Sequence, residues 1–125
     1  MILLTVAEVM GLHSKLTAKT GGSDGLRDRG LLESAVYSAQ TCFGGEEVYP
    51  TLAEKAARLM YALVSNHAFV DGNKRIGLLV MLTTLRLNGA ALKFTQAELI
   101  EFGLSAASGE AKYDEILNWI NQHMV

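Results

Sequence analysis

Apolar positions recur at intervals of three and four residues over most of this chain, the spacing that gathers them on one helix face. Val6, Val9, Met10, Leu12 and Leu16 predict a first helix from about Val6 to Lys19. Leu32, Ala35, Val36 and Ala39 predict a second over about Leu31 to Gln40. Leu52, Ala56, Leu59, Met60 and Leu63 predict a third over about Leu52 to Asn66. A fourth, from near Asn73 to Asn88, is apolar almost all round, with Ile76, Leu78, Leu79, Val80, Met81, Leu82, Leu85 and Leu87. A helix without a polar face belongs inside a bundle. Gly77 within it costs about 1 kcal/mol relative to alanine, so a neighbouring helix is expected to approach closely there. Two more helices are predicted over about Gln96 to Ala107 and about Ala111 to His123, the last turning Ile116, Leu117 and Ile120 inward with Trp119 nearby.

The boundaries carry their own chemistry. Thr5 with Glu8, Thr51 with Glu54 and Thr95 with Glu98 each have capping-box spacing, in which the hydroxyl accepts from the first turn and the glutamate reaches back. Gly21, Gly22 and Gly25 make a loop, and Gly89 is placed to be the left-handed residue past the fourth helix. Gly44-Gly45-Glu46-Glu47 is expected to be a mobile loop, and no Gly-Lys-Ser/Thr follows to make it a P-loop. Leu92-Lys93-Phe94 is a short extended piece expected to pair with Ile2-Leu3-Leu4. The sum is an all-α bundle around a buried central helix, with at most a minor short strand pair, in a single domain over residues 1–125.

Composition narrows the function. A formal net charge of −2 argues against direct nucleic-acid binding, which usually needs a basic surface. The lone Cys42 forms no internal disulfide and reads as a buried or idle thiol. The longest apolar run, Ile76 to Leu82, is far short of the roughly 20 residues that cross a bilayer. The N-terminal run lacks a basic segment and meets Glu8 at once, so it does not read as a signal peptide. A cytoplasmic protein without membrane contact is the expectation. His13 and His123 read as satisfied core or surface residues, and Met10, Met60 and Met81 as core filler. Three scattered histidines make no metal-ligand cluster.

One segment gathers more chemistry than folding asks for: His67-Ala68-Phe69-Val70-Asp71-Gly72-Asn73-Lys74-Arg75. It feeds the N-terminus of the buried fourth helix. Gly72 permits a tight turn beside a ligand, and Asn73 is expected to be the N-cap. The free N–H groups of the first turn, with the helix dipole, form an anion site. Lys74 and Arg75 oppose that dipole, a penalty that a bound phosphate reverses. Asp71 beside phosphates suits Mg²⁺. His67 can accept a proton near neutral pH. Phe69 is expected to anchor the loop in the core. Base, metal ligand, anion nest and cations together are the parts needed for phosphoryl or nucleotidyl transfer.

This segment resembles the signature of the Fic/Doc family, His-x-Phe-x-(Asp/Glu/Asn)-(Gly/Ala)-Asn-(Gly/Lys)-Arg. Gly25-Leu26-Arg27-Asp28-Arg29-Gly30-Leu31-Leu32-Glu33-Ser34-Ala35 resembles the family's upstream segment, and the similarity covers nearly the whole chain. The Fic branch has glycine where Lys74 stands and a second arginine where Leu78 stands; both departures match the Doc, or death-on-curing, branch. Gly72 is shared with the Fic pattern, where the best-known Doc pattern has alanine.

The resemblance implies a Fic/Doc-type helical bundle and a toxin that transfers the γ-phosphate of ATP to a Thr/Ser hydroxyl of a cytosolic protein. The family's substrate is a threonine of elongation factor Tu, and the outcome is inhibited translation. By position, His67 would be the base, Asp71 would hold Mg²⁺, Gly72 and Asn73 would form the nest, and Lys74 and Arg75 would bind ATP phosphates. The alternatives are a Fic-type AMP transferase and a catalytically silent partner-binding module. The chain lacks the Ser/Thr-x-x-x-Glu-Gly/Asn helix that restrains many Fic proteins. The resemblance therefore implies a cognate antitoxin whose disordered tail folds as a helix in a groove.

Overall fold

The structure, a computed structural model, describes residues 1–125 apart from the side chain of Ala107. It is all-α, with six α-helices: α1 (Val6–Thr20), α2 (Arg29–Tyr37), α3 (Leu52–Asn66), α4 (Asn73–Leu87), α5 (Gln96–Ala107) and α6 (Tyr113–His123). All three capping boxes form: Thr5, Thr51 and Thr95 each accept from the backbone of a glutamate that caps them in return. α2 starts earlier than expected because Asp28 is its cap, Oδ1 accepting from Leu31 N–H at 3.0 Å. It ends at Tyr37, and a 3₁₀ turn over Ser38–Gln40 completes the segment. There the Ser38 hydroxyl donates to Ala35 O at 2.7 Å, a local competitor of the helix ladder. α6 starts at Tyr113, two residues later than expected, after a turn through Gly109 at φ 83°.

α4 lies against α3 at the centre of the bundle, between two apolar clusters. Ile76 and Val80 face one with Leu59 and Leu63, while Met81 and Leu85 face the other with Ala56 and Met60. That double burial explains its nearly unbroken apolar sequence; Leu87, at the far end, is the exception and is exposed. Gly77 marks the close approach. A β-carbon there would lie 2.8 Å from Val64 Cγ2 and 3.2 Å from Met60 O.

Two extended pieces differ from expectation. Residues 42–47 are a hairpin, β1 (Cys42–Phe43) pairing antiparallel with β2 (Glu46–Glu47) across Gly44 and Gly45, both at positive φ. Two glycines at positive φ supply the turn whose twist suits a two-residue hairpin. Lys55, almost fully buried, fastens it by donating to Glu47 Oε1 at 2.9 Å and Ala39 O at 3.2 Å. Cys42 is exposed on this hairpin rather than buried. Leu92 pairs with Met124, not with the N-terminal residues. Asn88 has taken both backbone groups of Ile2, accepting from its N–H at 2.6 Å and donating to its carbonyl at 2.7 Å. Among the described residues no helix is long and apolar enough to cross a membrane.

Candidate active site

α3 ends on His67, the only non-glycine residue at positive φ among the described residues (φ 51°, ψ 46°). A left-handed backbone costs such a residue about 1–2 kcal/mol, so its surroundings must hold it. Arg27 does so, donating from Nε to His67 O at 2.7 Å. The rest of the loop is fastened from the same upstream segment. Arg27 and Asp28 N–H both donate to Ala68 O, at 2.8 and 3.0 Å, and Val70 N–H donates to Gly25 O at 2.8 Å. Phe69 is buried as expected, its ring stacked 3.7 Å from that of His13. His13 is also buried and donates from Nε2 to Asp71 O at 2.7 Å. It is a satisfied core histidine that pins the loop.

Gly72, not Asn73, caps α4, with φ 79° and ψ 16°. Asn73 is drawn inside. Its Oδ1 accepts from Phe69 N–H at 2.9 Å and its Nδ2 donates to Phe69 O at 3.0 Å. No side chain caps the first turn of α4. Its ladder begins with Ile76 N–H to Gly72 O at 2.9 Å, so the N–H groups of Asn73, Lys74 and Arg75 precede the first intrahelical bond.

The side chains expected to act together do not share one space, although Lys74 borders both the cavity of His67 and a second one, against α5, that Arg75 also lines. His67, exposed, and Lys74 line one cavity of about 300 Å³ between α3 and the turn joining α5 to α6. Asp71 and Arg75 lie toward the end of α1 instead. Their ion pair is 3.7 Å long, and Arg75 also bonds Thr20 Oγ1 and, at 3.1 Å, Gly21 O. Asp71 does not line the cavity of His67. Its Oδ1 accepts from Gly72 N–H at 2.8 Å, while Oδ2 accepts no hydrogen bond among the described residues. A β-carbon at Gly22 would lie 2.5 Å from that Oδ2, so only glycine lets the α1–α2 loop pass so near.

Sequence reasoning missed Arg27 and His13 as supports of the loop. Arg27 lies in the upstream segment already noted, but its contact is 40 residues away in the chain. It also missed Tyr61 and Ser65, four residues apart on one face of α3 and so a readable signal, and Lys112, which had none.

The all-α fold thus sets an exposed histidine and a lysine around one cavity, on a braced loop before the uncapped start of a buried helix. The model of the Fic/DOC family matches residues 3–85, and the chain belongs to that family. It is 46% identical over 90 residues to a protein of Mycolicibacterium smegmatis (strain ATCC 700084 / mc(2)155) named Toxin Doc, covering 70% of this chain and 69% of that one. It is 30% identical over 115 residues to a protein of Escherichia phage P1 named Protein kinase doc, covering 92% and 90%.

Proposed function

We propose that the chain is a Doc-type toxin that transfers the γ-phosphate of ATP to a Thr/Ser hydroxyl of a cytosolic protein, elongation factor Tu being the expected target. The observation that carries this reading is the shared cavity of His67 and Lys74 at the uncapped start of α4. The names of the two relatives, a toxin and a kinase, point the same way.

In this reading His67 accepts the proton of the target hydroxyl as its oxygen attacks the γ-phosphorus. The bond from that phosphorus to the bridging oxygen breaks, and ADP leaves with the electron pair. General-base help of this kind is worth about 10²–10⁴ in rate. The α4 N–H groups and Lys74 offset the charge of the phosphates, the main task in phosphoryl transfer. Mg²⁺ fits Asp71. Among the described residues no three His, Cys, Asp or Glu side chains gather as a metal cage. One half-exposed carboxylate with a spare oxygen matches an ion that takes its other ligands from phosphate and water. When bound, the ion would neutralise phosphate charge.

Arg27, His13 and Asn73 position the loop rather than touch substrate. The hairpin, with Phe43 exposed at its tip, would serve as a flap against the protein target. A cognate antitoxin, its tail folding as a helix in a groove, would restrain the enzyme in the cytoplasm. The reading predicts that induced expression without an antitoxin arrests bacterial growth and that His67→Ala abolishes the arrest. Equal arrest by His67→Ala, at equal protein level, would contradict it.

A further inference from the structure

The cavity that holds His67 has a second cationic wall. Lys112, the residue before α6, lines it opposite α3 together with Ser108 and Gly109. No aspartate or glutamate lines this cavity, although the chain carries more acidic than basic residues. The larger cavity between α5 and α6, about 430 Å³, is the reverse: Glu98, Glu101 and Glu115 line it. Neither Lys74 nor Lys112 forms an ion pair among the described residues. Two lysines facing one space repel each other unless an anion lies between them.

α4 alone undersupplies that space with charge. Arg75 turns toward Asp71, Thr20 and Gly21, and position 78 is a leucine that does not line the cavity. Lys74 is therefore the one cation that α4 gives it. The turn carrying Lys112 is fixed in place. Glu110 and Ala111 N–H both donate to Ser105 O at 3.1 Å, and Ala111 is buried in the second apolar cluster. Lys112 makes no side-chain capping bond to α6.

We propose that Lys112 is a nucleotide-binding residue that grips the ATP phosphates from the α5–α6 side, opposite Lys74. The assignment rests on the proposed function, since it names a further contact of the same site. Lys112 is exposed, so truncating it leaves the core intact.

The test is calorimetric titration of the whole chain with ATP, and separately with inorganic tripolyphosphate, for wild type, Lys112→Ala, Lys112→Arg and Lys74→Ala. A lost charge-assisted contact raises Kd about tenfold or more. Lys112→Ala is expected to show that rise for both probes, and Lys112→Arg to restore most of the affinity. Wild-type Kd values for Lys112→Ala, beside a weakened Lys74→Ala, would overturn the assignment and leave the kinase reading standing. Lys112-dependent binding of both probes without phosphate transfer to any protein would support the assignment and sink the kinase reading. A wild-type chain that binds neither probe would overturn both.

Discussion

The Asn73 side chain spans both backbone groups of Phe69, accepting from its N–H at 2.9 Å and donating to its carbonyl at 3.0 Å. One buried amide thus joins the loop that carries His67 and Asp71 to the helix that carries Lys74. Asn73→Ala strands two buried backbone groups, each costing about 1–3 kcal/mol. Its denaturation midpoint should fall well below that of wild type. Asn73→Asp keeps the acceptor and loses the donor, so it should fall between the two. An unchanged midpoint for Asn73→Ala would show that the loop is held without this brace.

His67 sits where stability and function conflict. Its left-handed backbone favours glycine, so His67→Gly should raise unfolding stability by about 1 kcal/mol while removing the proposed base. His67→Ala should keep the strain and lower the transfer rate about 10²–10⁴-fold. Denaturant melts beside rate measurements on the two variants check both halves. A destabilised glycine variant would mean that the exposed imidazole itself holds the loop.

Gly77→Ala should destabilise the chain, although alanine is the better helix former by about 1 kcal/mol. The new methyl would meet Val64 Cγ2 at 2.8 Å and Met60 O at 3.2 Å. Overpacking of this kind costs about 1–3 kcal/mol. Val64→Ala in the same chain should restore part of the loss, because it removes one of the two obstacles. A stabilised single variant would contradict the close approach of α3 and α4.

The far end of the molecule should respond to pH. His123 Nδ1 faces Trp119 O at 2.7 Å and Nε2 faces Glu98 Oε2 at 2.7 Å, both acceptors, so only the doubly protonated ring donates to both. The bond to Trp119 O and then that to Glu98 raise the His123 pKa above its ordinary 6.5. The same ring, followed by the Thr95 backbone bond, lowers that of Glu98 below 4.5. The stabilisation from His123 is fully present below pH 6.5 and is lost as pH rises through its raised folded value. That from Glu98 is present above pH 4.5 and is lost as pH falls through its lowered one. The Tm advantage of wild type over His123→Gln should therefore be larger at about pH 6 than at about pH 9. An equal advantage at both would show that the contact is packing alone.

The sequence made the helices legible because their signals are local. The Thr51–Glu54 box and the stripe from Leu52 to Leu63 lie within one helix, and α3 runs over the span they predict. Gly77 was legible for a different reason: a glycine inside an apolar helix has no local justification, so a neighbour had to supply one. The features that were misread or missed depend on partners far along the chain. Lys55 fastens a hairpin whose loop residues look mobile alone. Asn88 occupies Ile2 and leaves Leu92 to Met124. Asn73 looked like a cap because its type suits one, but the burial of Phe69 drew its amide inward. At the site, the nine-residue segment made the candidate residues legible, while the far wall of the cavity of His67 comes from a turn with no recognisable motif.

Labelled ATP distinguishes transfer of the γ-phosphate from transfer of AMP. Purified wild-type chain and His67→Ala would each be incubated with elongation factor Tu and Mg²⁺, with the label on the γ-phosphate in one series and on the α-phosphate in the other. A Doc-type kinase leaves label on the target from the γ position alone, and little from either position with His67→Ala. Label from the α position would mean AMP transfer and contradict the kinase reading, as would undiminished γ-label with His67→Ala.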